Sequence, residues 1–389
     1  MIKYNENLLE FVMFFDNAST TRVSNEIIRD LSDINDKYFF NPGGLYRNGR
    51  NAKLYLEDCR KNIVDILADR DEYDVVFTGS ATEANNLALF GNVKKNTRKI
   101  LVSMGEHPSV YNSALELKQR GFDVEFVNLS PKGCVDFEDF KMKMTNEVDL
   151  VSIMHVSNET GAINNISELV EYAKVVNSNV IFHVDGVQAC GKIPVDLNEL
   201  DVDLYTISAH KIHGFKGVGA LFIKKGIHLK PIIFGGGQEG GLRSGTENLI
   251  GIYSLKKALE LTHNKMKDDY QKVLSMKSKF LELLSKTGLD YVVHSNDECS
   301  PYIISISFIG CRAETLLNML SDNDVCVGNG SACSSKNSGN RILENMGISR
   351  SEIESNLRIS FSRDNTIDEL GSLVDLIKSI VGDYLKKVK

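Results

Sequence analysis

Short apolar runs recur through the first two thirds of the chain, each closed by small or polar residues and followed by a stretch with apolar positions at helical spacing. The runs cover 74–78, 99–103, 124–127, 150–154, 180–185, 203–207 and 220–223, and each reads as a buried strand. Helices are expected over 50–67, from Gly79-Ser80-Ala81-Thr82-Glu83-Ala84 onward, and over 113–120. Ile166, Leu169, Val170, Ala173 and Val176 form one face of another. Repeated strand–helix units imply an α/β fold with a mostly parallel central sheet covered on both faces. Ligands of such sheets bind beyond the carboxyl ends of the strands. His107, Asn158, Asp185 and Lys211 all fall at such ends.

The pattern changes near residue 250. A long helix is expected over about 252–286, with Val273, Met276, Phe280 and Leu284 on one stripe. Strands at 302–308, 324–327 and 356–361, a helix at 313–321 and another from about 366 read as α+β. Between them lies a Gly/Ser/Asn-rich loop, about 328–340. The expected division is a large ligand-binding domain over 16–260. The small domain then consists of 1–15 and 261–389 and carries that loop.

The net charge of −7 argues against nucleic acid as a direct partner. No apolar run has the length of a bilayer span, so no membrane role is expected. Glu6 and Glu10 precede the brief run 11–15, which is not the pattern of a signal peptide. The cysteines Cys59, Cys134, Cys190, Cys299, Cys311, Cys326 and Cys333 contain no CxxC pair, so neither a metal site nor a disulfide framework is expected. Free thiols fit a reducing cytoplasm.

Lys211 ends a strand, lies between His210 and His213, and is followed by glycines. An amine in such a place is suited to desolvation, which lowers its pKa and makes it a nucleophile or base. The start of the helix at Gly79 to Ala84 makes an anion cradle without the GK[ST] of a nucleotide loop. The glycine-rich stretch 234–246 does not join a strand to a helix in the first unit of the fold, which disfavours a nicotinamide dehydrogenase. Singly, each feature has a bland explanation: a turn lysine, a helix cap, an N-capping Asp185. His155, His183 and His213 read as structural.

Together, the amine, the carboxylate and the cradle are what pyridoxal 5'-phosphate (PLP) needs. Lys211 would bind its aldehyde. Asp185 would keep the ring nitrogen protonated, and Gln188 would reach the ring hydroxyl. His107 would stack on the ring and move protons. Thr82, Ser208 and His210 would hold the phosphate.

The chain resembles the cysteine desulfurases of the class V, fold-type I aminotransferase family. The resemblance runs from Asp16-Asn17-Ala18-Ser19-Thr20-Thr21 to Arg358-Ile359-Ser360-Phe361. Ser80-Ala81-Thr82-Glu83-Ala84-Asn85-Asn86, Glu106-His107, His155 to Gly161, His183 to Gln188, Ser208-Ala209-His210-Lys211 and Arg243 to Asn248 carry most of it. Gly330-Ser331-Ala332-Cys333-Ser334-Ser335 points to the desulfurase branch.

The resemblance implies that Lys211 is the Schiff-base lysine and that Asp185 pairs with the pyridine nitrogen. It places Gln188 and Asn158 at the ring hydroxyl side, and Ala81, Thr82, Ser208 and His210 at the phosphate. Thr246 would reach the phosphate of the neighbouring subunit in a homodimer. Arg358, with Asn158 nearby, would bind the carboxylate of the substrate L-cysteine, a task suited to a guanidinium. Cys333 would be the thiol that accepts the sulfur, with Lys211 and His107 moving protons. A sulfur-acceptor protein, an iron–sulfur scaffold or a thiolation enzyme, would follow.

Apart from the resemblance, Cys333 lies among Gly, Asn, Ser and Lys, where a thiolate is accessible. The other cysteines lack such a setting. Four positions depart from the family pattern without removing a catalytic group: Arg22, Tyr46, the Gly79-Ser80 order and Phe215. A selenocysteine lyase, a class V transaminase and a non-catalytic assembly protein on the same fold are the competing readings.

Overall fold

The computed structural model describes residues 12–328 and 340–388. The strands are β1 (Met13–Phe15), β2 (Tyr73–Thr78), β3 (Lys99–Ser103), β4 (Asp123–Val127), β5 (Val148–Ser152), β6 (Ile181–Asp185), β7 (Leu204–Ser208), β8 (Gly219–Lys224), β9 (Tyr291–Val293), β10 (Ile303–Phe308), β11 (Val325–Val327) and β12 (Asn356–Ser360). The helices are α1 (Asn25–Tyr38), α2 (Arg47–Leu67), α3 (Ala81–Asn92), α4 (Pro108–Gln119), α5 (Phe137–Lys143), α6 (Ile166–Val176), α7 (Leu197–Leu200), α8 (Leu249–Ser285), α9 (Ala313–Ser321), α10 (Arg341–Asn345), α11 (Arg350–Glu354) and α12 (Ile367–Val388).

Seven strands form the central sheet in the order β2-β8-β7-β6-β5-β3-β4. Only β8 runs against the rest, pairing antiparallel with both β7 and β2. The reason is local. The connection from Ser208 to Gly219 holds no crossover helix, only a short 3-10 turn at Ala209–Lys211. A parallel return would need a longer crossover.

Alternate residues of the strands feed two apolar layers. Leu101, Val151, Phe182, Val184, Tyr205 and Phe222 pack on one side with residues of α2, α6 and the first part of α8. Ile100, Val102, Leu150, Leu204 and Leu221 pack on the other with α3 and α4. The strand period of two places neighbours on opposite faces.

A third core joins Phe15 of β1 to β10, β11, β12, α9, α12 and the second part of α8. Helix α8 therefore serves two cores. Its Ile252, Leu255 and Leu259 face the sheet layer, and its Val273, Met276, Phe280 and Leu284 face the C-terminal core.

Some elements differ from expectation. The helix expected at 113–120 begins earlier, at Pro108, because Pro suits the first helical position and His107 supplies the cap. Helix α1 was not expected; only Ile27 of it is fully buried, and the Ser24 side chain caps its start. The strand expected at 150–154 runs over Val148–Ser152, since the chain leaves the ladder on its way to His155.

Candidate active site

Strands β5, β6 and β7 end side by side, and the site is built at those ends. Lys211 lies in the turn after β7. Its Nζ donates to the carbonyls of Ala18 and Ser19, each at 2.6 Å. The segment after β1 is held there in turn, because Thr21 N donates to His210 O at 2.9 Å. Gln188 Nε2 donates to the same Ala18 carbonyl at 2.8 Å. Lys211 and Gln188, expected together, are thus brought to one acceptor.

Asp185, the last residue of β6, is 3% exposed. Its Oδ2 accepts from Asn85 Nδ2 at 2.8 Å, and its Oδ1 from Val187 N at 3.1 Å. No helix starts here, so the carboxylate is not a cap. Asn85 Nδ2 also donates to Ser109 Oγ at 2.9 Å. Ser109 N donates to His107 Nδ1 at 3.1 Å. A neutral ring that accepts at Nδ1 carries its proton on Nε2. Burial lowers the His107 pKa from its usual range, against the pull of Asp185, so the neutral ring is the form at pH 7. A cavity of about 560 Å³ opens between α3 and α4, lined by Thr82, Asn86, His107 and Ser109 among others.

The start of α3 carries the expected cradle. Ser80 is the N-cap, and its Oγ accepts from Glu83 N at 3.1 Å. The Gly79-Ser80 order thus places a hydroxyl at the cap, where the reversed order would place a glycine. Glu83 Oε2 accepts from Gly79 N at 2.9 Å, and Glu83 Oε1 from Arg243 Nε at 2.8 Å. Across the cradle, a Cβ on Gly219 would lie 2.7 Å from Ala81 N, so only glycine lets β8 pass. Ser208 Oγ is buried and has no hydrogen-bond partner among the described residues.

His210 Nδ1 lies 3.2 Å from Thr20 Oγ1. Burial, then the charges of Lys211, Lys216 and Lys192, pull the His210 pKa down to about 4. A buried hydroxyl awaiting an acceptor, beside a helix start, fits a phosphate. The residues present therefore fit PLP.

Arg358 Nη2 is 2.9 Å from Asp16 Oδ1, and Nη1 donates to Asn158 O at 3.0 Å. Glu159 Oε1 lies 3.5 Å from Nη1. Asn158 Oδ1 is buried without a partner among the described residues. Thr246 is exposed and does not join the Lys211 group. It lines a separate cavity of about 120 Å³ with Gly79 and Glu239.

Cys333 lies outside the described residues. The residues flanking that segment are seated at the site. Gly328 exchanges backbone hydrogen bonds with Arg358, both at 2.9 Å. Asn340 Nδ2 donates to Glu159 Oε2 at 3.5 Å. The Arg341 guanidinium donates to Glu106 O and lies 3.8 Å from the Tyr111 ring centre. The other six cysteines are free thiols. Burial raises the pKa of each.

Sequence reasoning missed Asn85, Ser109, Glu106 and Lys192 as parts of this site. Asn85 had a signal: a polar residue on the buried row of α3, beside Ala84 and Ala88. Glu106 is fully buried, and its pKa is raised well above the usual range by desolvation and by Asp185. His155 and His183 bond to neighbouring strands: Nδ1 of His155 meets Tyr205 Oη at 3.0 Å, and His183 bridges Ser152 and Thr206.

An amine in the connection after β7, a buried carboxylate ending β6 and a hydroxyl-rimmed helix start define an α/β enzyme of fold type I. The chain belongs to the aminotransferase class-V family, whose model matches residues 13–373. It is 33% identical over 372 residues to cysteine desulfurase IscS 1 of Archaeoglobus fulgidus, covering 95% of this chain and 96% of that protein. A solved NifS-like protein superposes with a TM-score of 0.90 at 32% identity, covering 96% of this chain and all of the other. The structure of SspA in complex with cysteine superposes with a TM-score of 0.80 at 26% identity, over 91% of this chain and 100% of that one.

Proposed function

We propose that the protein is a PLP-dependent cysteine desulfurase. It takes sulfur from L-cysteine, releases L-alanine and keeps the sulfur as a persulfide on Cys333. The observation that carries this is the full-length similarity to a protein named cysteine desulfurase, on a chain that retains Lys211, Asp185, Arg358 and Cys333.

When bound, PLP supplies a ring that stabilises negative charge at the substrate α-carbon. Lys211 Nζ, held by two carbonyls, is the amine that would hold the cofactor's aldehyde, and it would take the substrate α-proton. The Asp185 carboxylate, kept in place by Asn85, would hold the ring nitrogen in its protonated form. Ala81, Thr82, Ser208 and His210 would bind the phosphate, and Thr246 would reach that of the partner subunit. Arg358 receives the substrate carboxylate, with Asn158 alongside. The Nε2–H of His107 gives or takes a proton. The Cys333 thiolate attacks the substrate sulfur. A sulfur–sulfur bond forms, the carbon–sulfur bond breaks, and its electrons stay with the carbon fragment, which is protonated to alanine. L-cysteine and an enzyme thiol thus give L-alanine and an enzyme persulfide.

The segment flanks support the assignment of Cys333, since Gly328 and Asn340–Arg341 are anchored beside Arg358, Glu159 and Glu106. A homodimer is part of the reading. Phe39, Leu45, Tyr46, Leu54 and Phe234 are large apolar side chains left exposed, which a second subunit would cover. An acceptor protein, an iron–sulfur scaffold or a thiolation enzyme, then takes the sulfur. No helix among the described residues is long and apolar enough to cross a membrane. The free thiols fit a cytoplasmic setting.

The test is alanine and sulfide release from L-cysteine in the presence of a reducing thiol, with wild type and Cys333→Ala. Equal yields from wild type, lost in the variant while the visible cofactor absorbance remains, are expected. Undiminished turnover by Cys333→Ala would move the assignment to a selenocysteine-lyase type of reaction.

A further inference from the structure

Lys192 follows the turn after β6 and is 6% exposed. Its Nζ donates to Gln188 Oε1 at 2.6 Å and lies 5.8 Å from the centre of the Tyr302 ring. An ammonium can only donate, so the oxygen of the Gln188 amide must face it. The amide nitrogen is thereby turned the other way, where it donates to Ala18 O at 2.8 Å. That carbonyl also accepts from Lys211 Nζ. Two amines are thus joined through one amide and one carbonyl.

The groups facing Lys192 are mostly positive or neutral. Lys211 and Arg358 oppose its charge, and the Cys190 thiol favours it. A cavity of about 20 Å³ beside it is lined by Thr21, His213, Asp269, Tyr302 and Arg363 among others. Burial, then the Lys211 charge, pull the Lys192 pKa down to about 7. The interaction is mutual: a charge on either amine disfavours charge on the other.

We propose that Lys192 is a positioning residue of the cofactor site: its amine fixes the orientation of the Gln188 amide, so that the amide N–H is turned toward Ala18 and Lys211. This rests on Lys211 being the amine that holds the cofactor. The amide N–H of Gln188 is then presented on the side of Lys211, where the ring hydroxyl of PLP would lie.

The full chain is loaded with PLP, and its affinity for the cofactor is read from the visible absorbance for wild type, Lys192→Met and Lys192→Gln. Lys192→Gln keeps a donor toward Gln188 Oε1 and retains PLP affinity. Lys192→Met loses it and binds PLP about tenfold more weakly. If Lys192→Met does not fold, Lys192→Ala, which also lacks the donor, takes its place. Wild-type affinity in the donor-lacking variant, or an equal loss in Lys192→Gln, overturns this inference and leaves the cofactor assignment standing. A wild-type chain that develops no visible band on loading overturns both.

Discussion

Asn85 Nδ2 is shared between Asp185 Oδ2 and Ser109 Oγ, and the residue is fully buried. Removing it leaves a buried carboxylate short of a donor. Asn85→Ala is expected to lower unfolding stability by about 1–3 kcal/mol in urea titration. Asn62→Ala, whose amide bonds only to Asp58 O on the outer side of α2, should stay within about 0.5 kcal/mol of wild type. Equal effects would show that Asp185 does not depend on Asn85. Phe215 shows how a departure from the family pattern is accommodated. Its backbone N–H donates to the buried Ser254 Oγ at 3.0 Å, a bond that proline could not make.

At the scale of elements, Glu239 ties the glycine-rich stretch after β8 to its neighbours. Glu239 accepts from both Arg60 Nη1 at 2.8 Å and Nη2 at 2.9 Å, and from Phe77 N at 2.8 Å. Three elements, α2, β2 and this stretch, meet at one carboxylate whose side chain is 2% exposed. Glu239 has φ 49°, in the left-handed region. Glu239→Ala keeps that strain and orphans both partners, so a loss of about 3 kcal/mol is expected. Glu239→Gly relieves the strain and should recover about 1 kcal/mol of it. Urea titration of the two variants measures both, and a glycine variant less stable than the alanine variant would refute the strain. Arg243 extends the same join to Glu83 at the cradle, which ties the glycine-rich stretch to the start of α3.

At the scale of the whole molecule, acid stability is set by groups that folding removes from water. Burial pulls the His183 pKa down to about 3 and that of His155 to about 4. Unfolded, each titrates at about 6.5. Below that pH the unfolded chain binds the extra protons, so stability falls as pH drops from about 6.5 toward the folded values, by about 1.4 kcal/mol per pH unit for each histidine. Glu106 and Glu159 act in the opposite sense, since burial raises their folded pKa. Comparing wild type with His183→Gln separates the terms. The slope of stability against pH between about 6 and 5 should be shallower in the variant by that amount for one histidine. Equal slopes would show that His183 is protonated in the folded state.

The chain by itself determined the alternation of strand and helix, because burial on both faces demands continuous apolar runs in β3, β5, β6 and β7. It also singled out Lys211 and Asp185 as candidates, since each lies where a run breaks into polar and small residues, and Cys333 by its polar neighbours. Helix α1 escaped detection, because little of it is buried: among its residues only Ile27 is fully so. Only the tertiary structure reversed β8, through a connection too short for a crossover. It also brought Asn85, from 100 residues away in the chain, onto Asp185. Lys192 shows the division most plainly. In the sequence it is one basic residue in a loop. In the fold it is a buried amine bonded to Gln188, because the distances that decide desolvation and electrostatic coupling exist only once the strand ends are brought together.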